Sequence, residues 1–233
     1  MAASDRRQAS PVWCAKNIAF AGIALMTAYV LYHNERFLID ASDPEWAHIR
    51  TFRWWLLVHG LAGAPALLLA PLQFSNRLRQ RYVGLHHVVG YIYVVGVFIL
   101  GPLGGYIQWV NEAIGGPRSF TVLAVADAVL LVTTTGIALY FALKGKIAAH
   151  RQWMTRSYAV ALVFFEGRLV MGLTGIDQMG PELQEAVIWS CLVFAFLFAD
   201  IANHWGDLRA AATSQRSKAR VVPEVVSALR EPA

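Results

Sequence analysis

Histidine is the side chain best placed to do chemistry in this chain. Seven are present, His33, His48, His59, His86, His87, His150 and His204, and neutral imidazole ligates metal ions and haem iron. The other ionisable residues inside long apolar stretches are few: Asp127, Glu166, Arg168 and Asp200. No nucleophile stands near a base at usable spacing, and there is no Gly-rich phosphate loop, Cys-x-x-Cys pair or zincin His-Glu string. Chemistry in this protein must therefore come from its histidines or from charges set among apolar residues.

The elements that carry these residues follow from composition. Of 233 residues, 57% are hydrophobic and only 15% charged, whereas soluble domains keep about a quarter charged. Apolar runs near Asn17–Tyr32, Trp54–Leu72, His87–Ile107, Phe120–Leu143, Trp153–Leu173 and Glu185–Asn203 approach or reach the roughly 20 residues that cross a hydrocarbon core. Loop signals separate them: Asp43-Pro44, Gly115-Gly116-Pro117, Lys144-Gly145-Lys146 and Gly180-Pro181,. Strand-like alternation is lacking, and helices satisfy their own backbone hydrogen bonds in lipid. The expected fold is all-α, a polytopic membrane bundle of six transmembrane helices.

Charge sets the orientation. With the N-terminus inside, fifteen Lys and Arg fall in cytoplasmic segments and four in outer loops, while Arg168 lies within a span. That asymmetry predicts both termini in the cytoplasm and makes the basic charge a matter of topology, so nucleic acid is not an expected partner. The first run ends in Tyr32-His33-Asn34-Glu35 with no small-residue cleavage pattern, so it reads as a retained helix,. Cys14 and Cys191 are expected at different depths, too far apart for a disulfide. The organisation is then a cytoplasmic segment 1–16, a transmembrane domain 17–204, and a basic tail 205–233.

Depth can be read from a rise of about 1.5 Å per residue. His59 falls roughly 8 Å below the outer rim and Asp127 roughly 10 Å below it, with Arg168 near the same level. These three are suited to an outer cluster; the plain alternative is that Asp127 and Arg168 neutralise each other. Glu166 and Arg168 are two residues apart and cannot face one partner. His86, His87, His150 and His204 gather towards the inner face, where His87, like His33 and His48 opposite, reads as an interfacial residue. Gly60, Gly63 and Ala64 after His59 favour close helix packing, Pro65 should kink that helix, and Thr133-Thr134-Thr135-Gly136 reads as packing and back-bonding.

Several strings carry a resemblance. His59-Gly60, Pro71-Leu72-Gln73-Phe74, Arg77-Leu78-Arg79, Leu85-His86 with Gly90 and Tyr93, and His150-Arg151-Gln152-Trp153-Met154-Thr155-Arg156-Ser157-Tyr158 with Arg168 resemble the bacterial membrane family termed domain of unknown function 2306. The resemblance covers about residues 54–205. It implies a polytopic membrane protein and no particular activity. It departs at His87, where Arg is usual, and around Asp200, Asn203 and His204.

Within the pattern, His59, His86 and His150 stand on different helices. His86 and His150 lie at inner helix ends and are suited to one metal or haem centre, with Arg77, Arg79, Arg81 and Arg156 able to meet haem carboxylates. Arg168 belongs to the same pattern. His59 is roughly 20 Å away along the bundle. Three readings follow: a redox protein of the cytoplasmic membrane binding haem b or a metal and passing electrons to or from a quinone; a transporter or proton-linked carrier using His59, Asp127 and Arg168; or a structural subunit of a membrane complex. An intramembrane hydrolase using the inner histidines and Asp200 on a metal is a fourth.

Overall fold

The computed structural model describes residues 11–34, 40, 42–208 and 210, with the side chains of residues 11–16, 34, 45, 48, 77 and 177 outside that description. Residues 1–10 of the N-terminal segment and most of the tail after Trp205 therefore lie outside it, as do the side chains of Cys14, His48 and Arg77. The described residues form helices and no strand: α1 (Pro11–Asn34), α2 (Glu45–Ile49), α3 (Arg53–Gln73), α4 (Asn76–Arg81), α5 (Val83–Ala113), α6 (Arg118–Leu143), α7 (Ile147–Thr174) and α8 (Pro181–Asn203), with a single 3₁₀ turn at Ile176–Gln178.

Five of them, α3, α5, α6, α7 and α8, are long and apolar enough to cross a membrane. The first expected span is the exception. The apolar part of α1 is Asn17–His33, about 25 Å at helical rise against a hydrocarbon core of about 30 Å. Two short helices, α2 and α4, flank α3. They escape an apolar-run reading because they are short and polar. Helix α3 runs unbroken through Pro65 and Pro71.

Cross-helix contacts show the packing order. Residue numbers rise on one helix as they fall on its neighbour: His59 and Ala62 of α3 meet Gly104 and Gly96 of α5, Val125 and Val132 of α6 meet Gly105 and Gly101 of α5, and Gly167 of α7 meets Ile188 of α8. Consecutive long helices are thus antiparallel neighbours, while α5 and α7 run in the same direction. Helix α1 packs chiefly on α7, beside the bundle rather than inside it. The closest approach is at Gly96, where a Cβ would stand 2.5 Å from the Ala62 carbonyl oxygen. Only a residue without a side chain lets the two backbones come so near.

The core holds Tyr93, Val97, Leu123, Leu131, Val160, Val163 and Leu192. Large apolar residues such as Leu25, Leu72, Val95, Val122, Val193 and Phe198 are exposed. In water they would form an untenable patch; here they meet lipid. Arg79 and Arg81 of α4, Lys144 and Lys146 of the α6–α7 turn, and Arg151 and Arg156 of α7 share one end of the bundle, called below the basic end. Trp54, Trp55, Tyr106 and Trp109 mark the opposite end, as aromatic belts do at membrane boundaries.

Candidate functional site

A buried chain of hydroxyls fixes the register of the central helices. Tyr93 of α5, Thr135 of α6 and Ser157 of α7 are 1%, 0% and 0% exposed. Ser157 Oγ lies 2.7 Å from both the Tyr93 hydroxyl and Thr135 Oγ1, and Thr135 Oγ1 donates to the Leu131 carbonyl at 2.7 Å. Each hydroxyl has one proton. Thr135 uses its own on Leu131, so Ser157 donates to Thr135, and Tyr93 donates to Ser157. A fourth hydroxyl, on Tyr158, donates to the Leu67 carbonyl of α3 at 3.4 Å. The back-bonding expected of the threonine run is present at Thr134 and Thr135; the cross-helix chain is what sequence reading missed. Tyr93 and Ser157 both stand inside the strings quoted above, and that was the available signal.

From this anchor the histidines can be placed. His86 precedes Tyr93 by seven residues, and His150 precedes Ser157 by seven. Seven residues are about 10 Å of rise and 20° short of two full turns. On parallel helices tied at Tyr93 and Ser157, His86 and His150 therefore occupy one level and corresponding faces, towards the basic end. They are near enough to interact electrostatically, and Arg79 acts on His86 in the same way. Gln73 joins this level from α3. It lies six residues beyond Leu67, about 9 Å further along its helix.

The chemistry of the site is set by what its atoms already bind. His150 Nδ1 stands 2.9 Å from the Ala138 carbonyl. A carbonyl only accepts, so Nδ1 carries the proton and Nε2 is the ligating or accepting nitrogen. His86 Nδ1 and Gln73 Nε2 are buried without a hydrogen-bond partner among the described residues. Such orphaned polar atoms cost about 1–3 kcal/mol each. Arg156 is committed elsewhere: its Nη2 and Nε lie 2.6 and 3.0 Å from Asp200 Oδ1, and it stacks over Trp153. Asn203 bonds the Gln152 carbonyl and His204 Nδ1 the Asp200 carbonyl. These contacts close the α7–α8 junction at the basic end.

The other expected residues lie towards the opposite end. His59 Nδ1 donates to the Leu100 carbonyl at 2.9 Å, and its ring rests where Gly104 leaves room. Leu100 is seven residues beyond Tyr93, so His59 and His86 are about 20 Å apart along the axis. Asp127, eight residues before Thr135, reaches about 12 Å towards the same end. It is 7% exposed, and its Oδ1 has no hydrogen-bond partner among the described residues. The alternative reading, a neutralising pair between Asp127 and Arg168, is not formed: the ion pairs among the described residues are Arg118–Glu112 and Arg156–Asp200. Arg168 makes other interactions. Arg168 is eleven residues beyond Ser157, about 16 Å along α7 and thus some 4 Å further out than Asp127.

No group of three or more metal-ligating side chains exists among the described residues. His86 and His150 share one level at the basic end, where His87 adjoins His86 and His204 bonds the Asp200 carbonyl. No curated protein and no solved structure matches the chain. Residues 56–202 do match the family described as predicted membrane protein (DUF2306), a segment that holds His59, Gln73, His86, the Tyr93–Ser157–Thr135 chain, His150 and Arg156 together. With five membrane-length helices and that match over more than half its length, the chain belongs to this family of membrane proteins.

Proposed function

We propose that this is a multi-pass protein of the bacterial cytoplasmic membrane, with α1, 24 residues long although its apolar part is shorter, as a sixth crossing and both termini inside, and that it would hold a b-type haem through His86 and His150 and exchange electrons with a quinone. The carrying observation is the pairing itself: two imidazoles at one level on parallel helices, one of them oriented by a backbone hydrogen bond from Nδ1 to Ala138. That outer bond is the usual companion of a ligating histidine. The donor set suits haem iron, which needs one or two imidazoles, better than a hydrolytic metal, which needs three protein ligands.

Bound haem would supply one-electron transfer. The protein's part would be to fix both rings, keep the site dry behind Tyr93 and Ser157, and present a basic face to the cytoplasm. The test is the absorption spectrum of detergent-purified protein, oxidised and then dithionite-reduced, with metal analysis. A reduced-minus-oxidised haem band, lost in His86→Ala and in His150→Ala, supports the reading; colourless, metal-free, folded protein overturns it.

One observation favours a second reading, a proton-linked carrier. Asp127 is a carboxylate inside a span whose Oδ1 has no hydrogen-bond partner among the described residues, and such residues commonly serve transport. Flux in proteoliposomes that vanishes in Asp127→Asn and Arg168→Ala, with helicity intact, would support it; unchanged flux would remove it.

A further inference from the structure

We propose that the turn between α6 and α7 binds the phosphate headgroup of an anionic phospholipid, with Lys144 and Lys146 as its two cations. The turn holds them together. Gly145 takes φ +68°, in the left-handed region that glycine enters freely. The Lys144 N–H donates to the Tyr140 carbonyl at 3.1 Å and the Lys146 N–H to the Phe141 carbonyl at 2.9 Å, so the lysines are fixed on either side of one reversal. Each ammonium stands beside an aromatic ring of the last turns of α6: Lys144 Nζ is 5.9 Å from the Tyr140 ring centre and Lys146 Nζ 6.0 Å from that of Phe141. Neither lysine has an acidic partner among the described residues, whose ion pairs lie elsewhere.

The surroundings select a lipid over a soluble anion. Leu143 and Ile147, which bracket the two lysines, are 72% and 52% exposed. Two cations set between bare aliphatic side chains are costly against water and suited to the boundary where hydrocarbon meets headgroups. The exposed apolar residues Val122, Val125, Val129 and Tyr140 continue along one side of α6, where the acyl chains would lie. The start of α7 adds to the attraction: its first turn holds no acidic residue and no side-chain cap, so the positive end of a 28-residue helix opens directly on the turn,. The other cations of this end are more engaged. Arg156 is held by Asp200 and Arg79 by Asn76.

The test counts the lipids retained by the full-length protein. Protein in nanodiscs of phosphatidylcholine and phosphatidylglycerol with matched acyl chains is released into native mass spectrometry, and the ratio of bound lipids is compared with that of the disc. Wild type should retain phosphatidylglycerol in preference. Lys144→Gln and Lys146→Gln should each lower that preference about fivefold and together about thirtyfold, from the attraction of one lysine for an anionic leaflet. Both lysines are exposed, so these variants keep the fold. The double exchange to Arg should preserve the preference, and Arg79→Gln with Arg81→Gln, which removes as much charge from α4, should change it little. Absence of any preference in wild type would overturn the site. So would equal losses from the two double Gln variants, which would mean diffuse attraction to a basic surface. Displacement of the retained lipid by millimolar glycerol 3-phosphate would overturn it in favour of a soluble anion.

Discussion

The direction of the buried hydroxyl chain makes an unequal prediction for its two ends. Tyr93 donates to Ser157, which donates to Thr135, which donates to the Leu131 carbonyl. Tyr93→Phe removes the first donor and strands nothing, because Ser157 keeps its own proton on Thr135. The loss is one net hydrogen bond, about 0.5–1.5 kcal/mol, and interhelical bonds in membranes average about 0.6 kcal/mol. Ser157→Ala removes the middle. Tyr93, at 1% exposure, must then turn its O–H to Thr135, the other hydroxyl beside it, at a distorted geometry that no water relieves, a penalty of up to about 1–3 kcal/mol on top of the bond from Ser157 to Thr135. The expected total is about 2–3 kcal/mol. In the double variant no donor is left at a distorted geometry, so adding Tyr93→Phe to Ser157→Ala should restore about 1–2 kcal/mol. Reversible unfolding in mixed micelles, followed by the fluorescence of the eight tryptophans, measures all three. A double variant less stable than Ser157→Ala alone would refute the donor assignment.

Other consequences are more direct. Gly96→Leu should lose about 1–3 kcal/mol or more by overpacking, since even a Cβ would lie 2.5 Å from the Ala62 carbonyl oxygen; thermal unfolding in detergent reads it, and unchanged stability would mean that α3 and α5 lie further apart. Asp127→Asn should leave stability unchanged or raised, because no charged partner is lost,; a loss above about 2 kcal/mol would reveal a bound partner. A double-mutant cycle on Arg156 and Asp200 should give coupling no greater than about 1 kcal/mol, because Asp200 is half exposed,. If the proposed haem is held by His150, His150→Ala should abolish haem uptake, while helicity by circular dichroism stays within a few per cent of wild type, as only the side-chain bond to the Ala138 carbonyl is removed,.

How much was legible before folding can be traced residue by residue. Apolar runs placed the five long helices because lipid offers the backbone no partner, and length and hydropathy then suffice. The count of basic residues marked one end of the bundle, and the rise per residue put His59 about 20 Å from His86. The same arithmetic set His86 and His150 at matching ends. Where it failed, the missing quantity was rotation or a lateral neighbour. Depth alone allowed Asp127 to meet Arg168, yet the two do not pair, and depth carries no information on how each helix is turned. Arg156 looked available until Asp200, on a helix forty-four residues later, took it.

The sequence by itself determined that this is a helical membrane protein, where its helices run and which residues sit at each depth, because those follow from one chain's local geometry and its solvent. Only the tertiary structure decided which side chains touch. The Tyr93–Ser157–Thr135 chain, the orphaned nitrogens of Gln73 and His86 and the lone carboxylate of Asp127 all depend on how each helix is turned about its axis. In lipid that turn is set by close packing at positions such as Gly96 and by hydrogen bonds between helices. Neither leaves a periodic trace in the sequence.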